Sequence, residues 1–230
     1  MNLVFLIILI SFFIFLYFLY YLCRDDFVII RKDIKMEKIF NMAFLTAFVS
    51  LFFARFFYVL FNPLHQFLSP LGFLAFPYFP GLSLIGTIIG GSFFIYIYSS
   101  FKKMPIGKMF DLFTLSFIGV LPIGFLGTFI LLFGKTTLLF NIIFITSVFL
   151  PLCFIKIIYP FSSKGEIKDG SLSLIFLLLF SFLYFITKLF IDIKNFSFLN
   201  LENITLLIIL FSSTILLLNQ EIVDKFLIKK

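Results

Sequence analysis

The sequence is poor in charge and has no tryptophan. Only 13% of its 230 residues are Asp, Glu, Lys or Arg, whereas 62% are hydrophobic. A soluble domain of this length needs far more polar surface to cover its core, so the composition excludes a water-soluble fold. It also leaves no room for a soluble catalytic domain of typical size. We therefore predict a single membrane domain over residues 1–230.

Side chains that form disulfides or bind metals are scarce. His65 is the only histidine, and the two cysteines, Cys23 and Cys153, lie far apart in or beside apolar stretches. Their spacing matches neither a disulfide framework nor a set of metal ligands. We predict no metal site, no cofactor and two buried thiols.

The positive charge does not indicate a nucleic-acid partner. The chain carries a formal net charge of +7, but its basic residues are scattered over short loops. A nucleic-acid interface needs a basic stripe with interleaved aromatic residues on a water-exposed face, and the sequence has none. The charge is better explained by orientation in a membrane.

Apolar stretches of about 20 residues are long enough to cross a bilayer as helices. Seven stretches qualify, at residues 3–22, 39–61, 81–101, 110–133, 138–159, 171–191 and 201–218. The first has no basic residues before it and is followed by Arg24, so we predict a retained helix rather than a signal peptide. The fold class is therefore an all-α polytopic membrane protein with about seven transmembrane helices.

Residues 62–80 are apolar but do not fit a straight helix. Four prolines interrupt them, at Pro63, Pro70, Pro77 and Pro80. Since proline in a helix interior removes a hydrogen bond and clashes with the preceding turn, a spanning helix is excluded. We predict an interfacial or re-entrant segment.

The loops between the spans alternate between many and few basic residues. The loop after the first span is rich in Lys and Arg, and the loop after the second has neither. The loop after the third is basic again, whereas Lys135 is the only cation of the fourth. Cytoplasmic loops carry the excess of Lys and Arg, so we predict an outside N-terminus and a cytoplasmic C-terminus.

Two ionisable residues within or beside the spans are candidates for function. Arg55 lies among apolar residues in the second span and needs an anionic partner such as a lipid phosphate, or else extends to the interface as a structural residue. Asp111 lies at the predicted start of the fourth span, where the helix dipole favours a carboxylate. A structural role is favoured for Asp111, whereas both readings stay open for Arg55.

The third and fourth spans carry small residues at helical spacing. Ser83, Gly86 and Gly90 share one face of the third span, which favours close helix packing. The fourth span contains Gly119, Pro122, Gly124 and Gly127, a pattern typical of a bent helix with close neighbours. Neither pattern identifies a function by itself.

These segments together resemble the prolipoprotein diacylglyceryl transferase family. The family's second helix carries G-R-x-x-Y-V-L-F, and residues 54–61 read A-R-F-F-Y-V-L-F. Its third helix carries G-G-x-S-x-H-G-G-L-I-G, and residues 80–90 read P-G-L-S-L-I-G-T-I-I-G. At the spacing of its signature G-R-x-G-N-F-x-N-G-E, residues 124–133 read G-F-L-G-T-F-I-L-L-F and keep both glycines of the first half.

The resemblance implies a protein of the bacterial plasma (inner) membrane. The family transfers the diacylglyceryl group of phosphatidylglycerol to the lipobox cysteine of an exported prolipoprotein. The implied partners are therefore a phospholipid, phosphatidylglycerol if the family function is kept, and prolipoprotein signal peptides. The implied substrate-binding residues are Arg55, Tyr58, Ser83, Gly86, Gly124 and Gly127.

The chain departs from the family where polar groups are expected. Ile85 replaces the motif histidine, Phe125 replaces the signature arginine, and a later Arg and Glu align with Tyr184 and Lys188. We therefore name no catalytic residue and predict a transferase-like pseudoenzyme. The alternatives are a transferase that stays active through Arg55 and substitute groups, a non-enzymatic lipid- or partner-binding protein, and, less favoured, a small transporter.

Overall fold

The structure is a computed structural model that describes residues 3–63, 73, 81–131, 154, 167–191 and 200–223. Helices account for most of this part of the chain, and it contains no strand. In chain order they are α1 (Leu3–Arg24), α2 (Phe27–Arg31), α3 (Met36–Phe61), α4 (Leu84–Phe101), α5 (Ile106–Leu131), α6 (Ser171–Ile191) and α7 (Leu201–Leu218), and a π-helical turn, Asn219–Val223, follows α7.

The predicted all-α membrane fold is confirmed. Within the described ranges, six helices are long and apolar enough to cross a membrane, namely all of the above except the five-residue α2. The predicted span at 138–159 and nearly all of the Pro-rich segment at 62–80 lie outside the described residues. The outside position of the N-terminus stays a prediction.

Three helices begin at residues other than those predicted. α3 begins at Met36 rather than at residue 39. α4 begins at Leu84 rather than at residue 81, because Ser83 is extended and its hydroxyl accepts a hydrogen bond from the Gly86 amide as an N-cap. α5 begins at Ile106 rather than at residue 110, so Asp111 lies in its second turn and not in its first.

The chain divides into two compact units. The hairpin unit, Phe27–Met109, contains α2, α3, α4 and the start of α5, and the aromatic unit contains Met1–Asp26 and Phe110–Lys230. In the aromatic unit, rings join neighbouring helices: Phe15 of α1 meets Phe113 of α5 at 5.8 Å between centroids, and Phe117 of α5 meets Phe176 of α6 at 6.1 Å.

In the hairpin unit, α3 and α4 pack closely as antiparallel neighbours. Gly86 makes this approach possible, because a Cβ at that position would lie 2.5 Å from the Phe53 carbonyl oxygen. A Cβ on Gly90 would lie 2.5 Å from the Phe53 Cβ. The close packing that the spacing of small residues predicted is therefore confirmed.

Candidate functional site

Arg55 projects from α3 near the point where α4 begins. Its side chain is 5% exposed. The guanidinium Nε donates to the Phe73 carbonyl at 3.0 Å, and Nη1 donates to the Gly81 carbonyl at 3.0 Å. A planar guanidinium presents its donors in a fixed fork, so two such bonds fix both its position and its plane. Arg55 thereby joins α3 to the chain that leads into α4.

Tyr58 supports the same contact from one turn further along α3. Its ring centroid lies 5.8 Å from the Arg55 Cζ. A Cβ added to Gly81 would fall 2.2 Å from two atoms of the Tyr58 ring, so the glycine backbone lies directly against the ring. Tyr58 and Arg55 therefore hold the same glycine, one by packing and the other through its carbonyl.

The start of α4 is attached to α3 by a second set of contacts. The Ser83 amide donates to the Ala54 carbonyl at 2.9 Å, and both residues are buried. The Ser83 hydroxyl accepts from the Gly86 amide at 3.3 Å. Of the predicted substrate-binding residues, Arg55, Tyr58, Ser83 and Gly86 thus lie together at one end of the α3–α4 pair. Each makes a contact that holds the two helices together.

The position that the sequence resemblance predicts to match the family's motif histidine is apolar and closed. Ile85 follows the cap residue Ser83 by two positions and is 0% exposed. An aliphatic side chain has no atom that donates or accepts a proton, so it cannot act as a general base. Proton transfer at this position is excluded.

The predicted residues on α5 are less fully described. Gly124 lies in the helix, and a Cβ added to it would meet no atom within 4 Å among the described residues. Gly127 also lies on α5, but its surroundings and the Phe125 side chain fall outside the described part of the chain, as does His65.

Asp111 forms a buried contact within the aromatic unit. Its Oδ2 accepts from the Gly170 amide at 2.7 Å and its Oδ1 from the Ser173 amide at 2.9 Å. These amides open α6, so Asp111 caps the start of a neighbouring helix rather than its own. The turn needs Gly170, whose φ of 100° suits glycine. Asp111 therefore has the structural role that was favoured, but with a different helix.

A second carboxylate, that of Glu221, also binds the start of α6, and the sequence did not predict this contact. Glu221 Oε1 accepts from the Lys168 amide at 2.9 Å and from the Ser171 hydroxyl at 2.5 Å. The Lys168 ammonium in turn donates to the Gln220 carbonyl at 2.7 Å. These hydrogen bonds connect the turn after α7 to the start of α6.

A half-buried polar cluster joins the end of α6 to the start of α7. Lys188 forms an ion pair with Glu202, and the Tyr184 hydroxyl donates to Glu202 Oε1 at 3.2 Å. The Lys188 Nζ lies 5.9 Å from the centroid of the Tyr184 ring. Two residues that align loosely with the family's later Arg and Glu thus share one carboxylate from the next helix. The sequence alone does not identify the Lys188–Glu202 pair, because the pair depends on how α6 and α7 align along each other.

Metal chemistry has no candidate site in the part of the chain that the structure describes. No group of three or more His, Cys, Asp or Glu side chains there is placed to hold an ion.

The fold and these contacts define a multi-pass helical membrane protein in which Arg55 and Asp111 bind backbone groups and Lys188 binds a neighbouring helix. The sequence profile of the prolipoprotein diacylglyceryl transferase family matches residues 5–218. The chain belongs to this family, and it is a prolipoprotein diacylglyceryl transferase-like membrane protein. No curated protein and no solved structure matches it.

Proposed function

We propose that this protein keeps the membrane scaffold of the diacylglyceryl transferase family and has lost the transfer reaction. It acts as a non-enzymatic phospholipid-binding protein. The observation that carries the proposal is Ile85, a fully buried aliphatic residue at the position of the family's motif histidine. The transfer needs a group that helps the lipobox thiol attack, and this position supplies none.

Arg55 supports the same conclusion, because its contacts give it a structural task. A transferase needs a cation that stabilises the departing phosphate. The Nε and Nη1 atoms of Arg55 instead donate to two carbonyls of the chain at 3.0 Å each. Arg55 is therefore a positioning residue that shapes the end of the α3–α4 pair.

The expected ligand is a phospholipid of the surrounding membrane. The family acts on phospholipid and prolipoprotein substrates. A scaffold that has lost the chemistry still presents a lipid-facing surface, and phosphatidylglycerol is the first lipid to test. The charge alternation of the loops supports an outer position for the Arg55 end of α3, in a bacterial plasma membrane. Prolipoprotein signal peptides are the second class of partner to test.

The proposal is tested in bacterial cells depleted of their own transferase. The protein is expressed from a plasmid, its presence in the membrane is checked by immunoblot, and one prolipoprotein is followed by intact mass. We expect no gain of the diacylglyceryl mass, because the proton-transfer group is absent. An active family member is the positive control.

A gain of that mass would show an active enzyme and overturn the proposal. The next measurement would then use Arg55→Ala. If transfer in that variant falls while membrane expression is unchanged, Arg55 binds the phosphate. If transfer keeps its full rate, the chemistry depends on groups other than Arg55.

A further inference from the structure

The end of the hairpin unit opposite Arg55 carries an exposed surface that is both basic and apolar. We call it the basic patch, and its members are Arg31, Lys32, Lys35, Lys38, Lys102 and Lys103 together with Phe27, Ile30 and Phe101. All nine side chains are exposed.

The antiparallel packing of α3 and α4 brings these residues to one end. A Cβ on Gly86 would meet Ala54, one on Gly91 would meet Ser50, and the Ser99 hydroxyl contacts the Met42 sulfur at 3.7 Å. As α4 advances, its contacts therefore move toward the start of α3. The residues that follow α4 consequently lie level with those that precede and begin α3.

α2 belongs to the same end. Arg31 closes α2, and Met36 begins α3. Lys35 follows Arg31 by four positions, so at most about 14 Å of extended chain lies between them. Ile29 is 3% exposed and anchors α2 in the protein, whereas Phe27 and Ile30 are 73% and 63% exposed. The short helix thus turns apolar side chains outward beside the lysines.

The charge of the patch is strongly one-sided. Residues 27–38 and 101–103 contain its six basic side chains and only two carboxylates, those of Asp33 and Glu37. Phe101, at 83% exposure, lies next to Lys102 and Lys103 at the end of α4. Basic side chains beside outward aromatic and aliphatic groups match the boundary between headgroups and acyl chains, where cations meet lipid phosphates and rings enter the membrane edge.

The turns that close α2 and α4 are built alike. Met104 donates to the Ser99 carbonyl at 2.9 Å, and Ile34 donates to the Ile29 carbonyl at 3.1 Å. Each turn places one residue in the left-handed region, Lys103 at φ 53° and Asp33 at φ 48°. Glycine is the usual residue there. Lys103 thus keeps a cation on the patch at a position where the backbone favours glycine.

We propose that the basic patch binds anionic phospholipid headgroups of the leaflet it meets, with Phe101, Phe27 and Ile30 entering the acyl boundary. The selection is for negative charge and not for one headgroup. This site is separate from the Arg55 end, because it lies at the other end of the α3–α4 pair. It holds whether or not the protein catalyses transfer.

The absence of tryptophan from the sequence allows a direct test. Phe101→Trp gives the full-length protein a single tryptophan within the patch. The variant is reconstituted into three sets of phosphatidylcholine vesicles. Each set contains one bromine-labelled lipid, and the fraction of labelled lipid is small and the same in all three. The labelled lipid is phosphatidylcholine, phosphatidylglycerol or phosphatidylserine, and bromine quenches tryptophan on contact.

We expect several-fold stronger quenching by both anionic lipids than by phosphatidylcholine. Raising the salt to about 1 M shortens the Debye length to about 3 Å. The ratio of quenching by an anionic lipid to quenching by phosphatidylcholine should therefore fall toward one. Phe48→Trp is the matched control, since Phe48 is 71% exposed in the middle of α3 and has no lysine beside it. It should show no charge preference.

Charge variants complete the test in the Phe101→Trp background. Lys102→Gln with Lys103→Gln should lower the preference, and Lys102→Arg with Lys103→Arg should keep it. If the glutamine variant misfolds or inserts in the opposite orientation, the salt titration of the unaltered patch still decides.

Three results would overturn the proposal. Equal quenching by anionic and zwitterionic lipids at low salt would show contact without selection. Quenching by phosphatidylglycerol but not by phosphatidylserine would show a headgroup-specific site instead. Absence of quenching by every lipid would show that the patch lies in water and does not meet the bilayer.

Discussion

Arg55→Met tests whether Arg55 holds the chain together at the start of α4. Methionine keeps most of the length and apolar stem of arginine but has no donor, so the Phe73 and Gly81 carbonyls each lose a bond of 3.0 Å. Hydrogen bonds between segments in membrane proteins contribute about 0.6 kcal/mol on average and up to about 1.7 kcal/mol each. Two bonds therefore predict a loss of about 1–3 kcal/mol in the free energy of unfolding.

The assay is unfolding in mixed micelles with increasing denaturing detergent, followed by circular dichroism. Phe56→Met is the control, because Phe56 lies on the same helix and is 45% exposed. It should change the free energy of unfolding by less than about 0.5 kcal/mol. Arg55→Lys should recover only part of the loss, since one ammonium does not reproduce the planar fork. If Arg55→Met equals wild type in stability but loses phospholipid binding, the structural role assigned to Arg55 is wrong.

Three further experiments test the other contacts in the same unfolding assay. Gly86→Ala should lower the free energy of unfolding by about 1–3 kcal/mol through overpacking, whereas the control Gly124→Ala should not; equal effects would contradict this packing. Asp111→Asn should cost about 1–2 kcal/mol, because an NH2 donor replaces one of the two oxygens and faces a backbone N–H that then lacks an acceptor, and an unchanged stability would refute the cap. A double-mutant cycle of Lys188→Met and Glu202→Gln should give a coupling of about 1 kcal/mol, and additive effects would argue against the pair.

The features that the sequence predicted well depend on short-range periodicity. Apolar runs of the length of a bilayer predict spanning helices because helical rise per residue is constant. Gly86 and Gly90 predicted close packing because residues four apart lie on the same helical face. Such signals are complete within one segment, so they need no knowledge of the neighbouring helices.

The features that the sequence did not predict depend on contacts between distant segments. Asp111 accepts from Gly170, 59 positions away, so no local pattern identifies its partner. Two donors of Arg55, Nε and Nη1, bind backbone carbonyls, which every residue possesses and no motif marks. Lys188 meets Glu202 only through the packing of α6 against α7.

The central claim is that a family scaffold persists without the family reaction, and a purified system tests it most directly. The full-length protein is incubated with phosphatidylglycerol and a synthetic lipobox peptide, and both protein and peptide are examined by mass spectrometry. We predict intact phosphatidylglycerol bound to the protein, an unchanged peptide mass and no released glycerol phosphate. A peptide that gains the diacylglyceryl mass, with glycerol phosphate released in equal amount, would contradict the account.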